Sequence, residues 1–128
     1  MIRILAVDTT HEYGSLALSQ GGETLEEVTL HAPTGFAHVI YAELAALLGR
    51  HGVTADEIVC FAAASGPGSF TGVRVGLACI KGLAEATGKP AIAVSNLRVI
   101  AEFGTAPLRA TLRERSTCTT ASTWPRWP

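Results

Sequence analysis

Asp8-Thr9-Thr10 sets a carboxylate and two hydroxyls at the end of an apolar run that begins at Ile2. An acidic residue at the carboxyl end of a first strand, followed by hydroxyls in a turn, can hold a hydrated magnesium ion. The N–H groups of such a turn can also face a phosphate. The same three residues equally make an Asx or hydroxyl-backed turn with no ligand. A second stretch, Ser65-Gly66-Pro67-Gly68-Ser69-Phe70-Thr71-Gly72, lies between an apolar strand and a long helix. Glycines there let the backbone approach a ligand, and the helix start offers unpaired N–H groups to an anion. A tight strand-to-helix corner explains the stretch as well. It is not a P-loop, because no Lys-Ser/Thr follows, and Thr71 stands where a dinucleotide fingerprint needs its third glycine. Pro67, two before Ser69, also rules out a nucleophile elbow. Asp8, Thr9, Thr10, Gly66, Gly68 and Ser69 are therefore the candidate cofactor-binding residues, for weak binding of ATP or ADP with magnesium at most.

No catalytic set and no metal site is expected. His11, His31, His38 and His51 do not form a helical pair one turn apart. Glu26 and Glu27 are adjacent in a strand and point to opposite faces. Cys60, Cys79 and Cys118 are too scattered for a disulfide framework or a zinc site, and Cys60 and Cys79 read as small core residues. The 128 residues carry a net charge of −1 with 16% charged and 48% hydrophobic residues. That balance excludes a disordered chain and a protein whose main task is gripping nucleic acid by charge. No apolar run approaches the roughly 18 residues of a membrane span, and MIRILAVDTT does not have the shape of a signal peptide. A soluble cytoplasmic domain is the expectation.

The elements that position these residues follow from periodicity and turn chemistry. Strands are expected at Ile2–Asp8, Ser15–Ser19 and Glu23–Leu30, the last two joined at Gly21-Gly22. A helix is expected over Phe36–Arg50 and a short capped turn at Thr54–Glu57. A strand over Ile58–Ala64, a helix over Phe70–Thr87 stopped by Gly88 and Pro90, a strand over Ala91–Val94 and a helix towards Phe103 complete the order. This β-β-β-α-β-α-β-α order predicts an α/β fold, a mixed five-stranded sheet with helices, as in one ribonuclease-H-like lobe of the actin-like ATPase superfold. A Rossmann sheet would need a helix after its first strand. The domain is expected over 1–104, where the net charge is −4. Residues 105–128 carry +3, hold both tryptophans and no Val, Ile or Phe, and are expected to be an atypical, loose tail.

Both long helices carry more apolar surface than one sheet face can cover. Phe36, Ile40, Leu44 and Leu47 form one stripe, with Ala37, Tyr41, Ala45 and Leu48 beside it. Phe70, Val73, Leu77, Ile80 and Ala84 form another, with Gly72, Gly76, Cys79 and Leu83 beside it. Gly72 and Gly76, four apart, would admit a partner's helix. Ala37, Tyr41, Ala45, Leu48, Gly72, Gly76, Cys79 and Leu83 are thus the expected partner interface.

The segments ILAVDTT, ASGPGSFTGVRVGLACIKGLA and PAIAVSNL resemble the bacterial TsaB (YeaZ) family over about residues 1–104. The resemblance implies a non-catalytic partner of TsaD in making the threonylcarbamoyl modification of adenosine in tRNA. It implies contact with TsaD through the helices at Phe36–Arg50 and Phe70–Thr87, a TsaE-type ATPase in the full complex, and tRNA only indirectly. TsaD proteins carry a His-x-x-x-His metal motif where this chain has Asn96 and Ile100, which argues against metal chemistry and against the old peptidase label. Family members continue into a second lobe, whereas this chain departs from the pattern after about Leu108. A homodimer through the same helices, an ATP-binding kinase-like lobe, and a truncated non-functional fragment remain the alternatives.

Overall fold

The computed structural model describes residues 1–102 and, beyond them, the backbone of Ala110–Leu112 and Cys118–Thr120. Three strands come first: β1 (Arg3–Asp8), β2 (Tyr13–Gln20) and β3 (Glu23–His31). They pair antiparallel in sequence order. The β2–β3 turn needs left-handed backbone at two positions, which Gly21 (φ 61°) and Gly22 (φ 85°) supply. α1 (Ile40–Arg50) follows, then a 3₁₀ turn at Ala55–Glu57, β4 (Cys60–Ala64), α2 (Phe70–Thr87), β5 (Ala91–Val94) and α3 (Asn96–Glu102). β4 adds parallel to β1, and β5 parallel to β4, so the five strands run in the order β3-β2-β1-β4-β5. This is the mixed sheet expected from the element order.

Two further short strands, β6 (Ala110–Leu112) and β7 (Cys118–Thr120), pair antiparallel with Ala110 opposite Thr120. Otherwise the expectation of a loose tail at 105–128 lies outside the described residues.

The core sits between one face of the sheet and the pair α1 and α2. The register aligns Leu18, Leu5 and Phe61 in one row across β2, β1 and β4, and Leu16, Val7 and Ala63 in the next. All six are buried, and Ile40, Leu44, Leu47 and Leu48 of α1 close over them together with Cys79, Ile80 and Ala84 of α2. The strands alternate apolar-in because successive side chains point to opposite faces.

Two expectations need correction. α1 begins at Ile40, one turn later than Phe36, because the buried Phe36 ring packs on Gly14. A Cβ at Gly14 would stand 2.8 Å from that ring, so the 36–39 segment is held as a turn. The stripe of α2 that meets the sheet is Gly72, Gly76, Cys79, Ile80 and Ala84, while Phe70 is 75% exposed beneath the Arg74 guanidinium, 5.0 Å from its ring centre.

The C-terminal end of α1 is tied to β3 by charge. Glu26 accepts from Arg50 at 2.7 Å and 3.2 Å and lies 2.9 Å from the His51 ring nitrogen. These hydrogen bonds, Arg50 first and His51 second, hold the Glu26 carboxyl below its ordinary value of 4.5. A carboxyl depressed on folding stabilises the chain above its unfolded value, and that contribution is lost as the pH falls through its folded value. Thermal melts of wild type and Glu26→Gln should differ at pH 7 and converge as the pH falls below the ordinary carboxylate range.

Candidate functional site

The two stretches singled out in the sequence meet at the carboxyl end of β1. Asp8 Oδ1 accepts from the backbone N of Thr10 at 2.9 Å and from its hydroxyl at 2.6 Å. This is the Asx-type turn that the residue types allow. The Thr10 hydroxyl in turn accepts from Asn96 Nδ2 at 2.7 Å. Asn96 Oδ1 accepts from Gly66 N, and Asn96 N donates to Gly66 O, both at 3.0 Å. Asn96 thereby ties the start of α3 to the β1 turn and to the glycine corner at once. Sequence reasoning had noted Asn96 only as the replacement of a histidine; its place between a strand and a helix was the available signal.

The corner itself leans on the same turn. Ser69 N donates to Thr10 O at 2.6 Å, and the Ser69 hydroxyl caps α2 by accepting from Gly72 N at 3.2 Å. The Thr9 hydroxyl donates to Gly72 O at 2.6 Å. Thr9 and Thr10 are 1% and 0% exposed. A Cβ at Gly68 would stand 2.5 Å from Thr10 O, one at Gly72 would overlap Thr9 O, and one at Gly76 would stand 2.6 Å from the Thr9 hydroxyl. The glycines admit the chain's own threonines.

That geometry bears on each candidate. Ser69 N and Gly72 N, two of the donors at the start of α2, are given to Thr10 O and the Ser69 hydroxyl. Asp8 Oδ1 is engaged by Thr10, and no group of three His, Cys, Asp or Glu able to hold a metal ion lies among the described residues. Asp8, Thr9, Thr10, Gly66, Gly68 and Ser69 are thus brought together in one packed polar joint.

The expected interface divides into two sets. Ala37, Tyr41 and Ala45 are exposed on α1 and the turn before it, and Leu83 of α2 is half-buried. Leu48, Gly72, Gly76 and Cys79 are buried within the chain, which corrects their assignment as partner contacts: they face the sheet, and the two glycines seat Thr9. Burial pushes the Cys79 thiol up. Its sulfur, next to Tyr41, is the first cause of a raised phenol pKa there. Both groups are therefore neutral at pH 7. An open cavity of about 440 Å³ lies beside Ala37, lined by buried Phe36 and Gly72 and by exposed His11, Glu12 and His38.

Residues 31–112 match the family model described as TsaD, tRNA N6-adenosine threonylcarbamoyltransferase. The chain is 37% identical over 101 residues to the tRNA threonylcarbamoyladenosine biosynthesis protein TsaB of Escherichia coli, a match of 79% of this chain and 43% of that protein. The chain belongs to this family, on its TsaB (YeaZ) branch. A tRNA N6-adenosine threonylcarbamoyltransferase of Sorangium cellulosum is 33% identical over 128 residues, with 84% of this chain and 36% of that one covered. The solved structure of YeaZ from Pseudomonas aeruginosa superposes with a TM-score of 0.74 at 35% identity, covering 80% of this chain and 48% of that one. The fold is accordingly the ribonuclease-H-like, actin-like type. The chain spans less than half the length of these relatives.

A double-mutant cycle tests the joint. Gly76→Ala should destabilise by about 1–3 kcal/mol through overpacking, and Thr9→Ala should relieve part of that cost by removing the hydroxyl that the new Cβ meets. Gly72→Ala should show no such relief, because there the obstacle is the Thr9 backbone. In chemical denaturation, Asn96→Ala should lose about 1–3 kcal/mol by leaving Gly66 N without its acceptor.

Proposed function

We propose that this chain is a non-catalytic subunit in the making of N6-threonylcarbamoyladenosine in tRNA, acting in the cytoplasm by docking a TsaD-type protein. The observation that carries the reading is the uncharged, solvent-facing side of α1. Ala37, Tyr41 and Ala45 share it with Ala42 and Ala46, all exposed, and Tyr41 is 56% exposed. A helix normally turns charge towards water, whereas this side offers small residues without charge around one tyrosine, a residue enriched at interfaces. Leu83 extends the surface onto α2. The name of the E. coli relative supports the pathway. The internal use of the Ser69, Gly72 and Asp8 groups supports a supporting part in it over an ATP-consuming one. A TsaE-type ATPase and tRNA would then be reached through the partner.

Two measurements test the reading. Ala45→Arg and Tyr41→Arg should each weaken capture of the cognate TsaD-type protein, the tyrosine change by about thirty-fold, as for a tyrosine anchor worth about 2 kcal/mol. The melting temperature of Ala45→Arg should stay at the wild-type value. Capture by a folded wild-type chain is the expected result, and its absence, or appreciable ATP turnover by the isolated chain, would overturn the reading.

A further inference from the structure

α1 alone is too small to hold a partner. Its 11 residues run about 16 Å, and one side of so short a helix falls far below the roughly 800 Å² per partner that a stable complex buries. A docking surface on α1 has to continue beyond it. Leu83 of α2, half-buried, adds little. At its C-terminal end the helix meets charge, where Arg50 and His51 hold Glu26, and charged residues are depleted from the centre of an interface. At its N-terminal end the exposed side runs through Ala37 into the cleft of about 440 Å³.

Three segments enclose that cleft: the β1–β2 turn with His11 and Glu12, the loop that leads into α1, and the first turns of α2. The buried Phe36 and the half-buried Ala32 and Val75 give it an apolar lining. Its one acidic group is already used, since Glu12 Oε1 lies 3.0 Å from His31 Nε2, and the His31 ring stacks on Tyr13 with centres 4.4 Å apart. His11 and His38, which also line the cleft, have no hydrogen-bond or ion-pair partner among the described residues. An imidazole keeps an N–H donor in either protonation state. Two such donors beside an apolar lining call for an acceptor that the chain itself does not supply. A carboxylate is the strongest acceptor that another protein offers.

We propose that the cleft beside Ala37 continues the docking surface of α1 and receives from the TsaD-type partner an apolar side chain next to an acidic one. The apolar group packs on Phe36 and Val75, and the carboxylate accepts from His11 and His38. The inference rests on the reading above that α1 docks such a partner.

Titration calorimetry with the cognate TsaD-type protein tests it, using variants that leave Tyr41 and Ala45 in place. Thr34→Trp fills the cleft from its exposed loop, and His11→Ala combined with His38→Ala removes both donors. Each should raise the Kd about tenfold or more with unchanged far-ultraviolet circular dichroism. His38→Glu should bind more weakly than His38→Ala, because it sets a like charge against the incoming carboxylate. In the wild-type chain, hydrogen exchange at the Thr34 and His38 amides should slow when the partner is added. Cleft variants that bind as wild type does, or amides whose exchange ignores the partner, overturn the proposal, and a loss confined to Tyr41→Arg then leaves the helix reading standing. A wild-type chain that captures no partner overturns both. Protection that grows with the concentration of the chain alone gives the cleft to a second copy, and protection already complete in the dilute free chain gives it to this chain's own residues. Each of these also overturns the proposal. The exchange measurement uses the wild-type chain and stands even where a variant misfolds.

Discussion

The first two turns of α2 lie against the end of β1 so closely that only hydrogen fits where Gly72 and Gly76 have no side chain. This contact decides how the rest is arranged. It sets the distance between the helix and the sheet, and so the space that Cys79, Ile80 and Ala84 fill further along. It also buries two threonine hydroxyls, which a low-dielectric interior tolerates only when they are bonded. Thr9 meets that requirement with a helix carbonyl, and Thr10 with Asp8 and Asn96.

A polar cluster at the carboxyl ends of parallel strands, next to a helix start, is where α/β proteins commonly hold ligands. Here Asp8 Oδ1, Thr9, Thr10 and Asn96 bond to one another and to the adjoining backbone. The surfaces left for other molecules are of a different kind: the alanine side of α1 and the cleft beside Ala37. Neither presents a cluster of like charge. Among the acidic residues, Glu26 is engaged by Arg50 and His51, and Glu57 by Thr54 and Arg3.

Most elements were legible because their signals are local. β-branched and aliphatic runs marked the strands, Gly21-Gly22 the hairpin, and Gly88 with Pro90 the end of α2, whose span was read to the residue. The start of α1 was misread because Phe36 has helical spacing to Ile40, yet its ring is drawn onto Gly14 by a contact distant in sequence. The face of α2 was misread for a related reason. Glycines four apart announce that a backbone comes close, but not whether it belongs to a partner's helix or to the chain's own strand. Asp8, Thr9 and Thr10 stand out as a group by residue type, whereas their partner Asn96 does not, since it lies 86 residues away and no local pattern links it to Thr10.

The Thr10–Asn96 bond joins positions 86 residues apart. During synthesis the hairpins, α1 and α2 all leave the ribosome ahead of residue 96, and loop-closure entropy further delays so distant a pairing. The β1 turn must therefore remain half-made while the sheet assembles around it, and it is completed by one of the last residues of the lobe to emerge. Asn96 works as a late keystone: it locks an arrangement that the earlier elements have already drawn together, and it adds little to the speed at which they find one another.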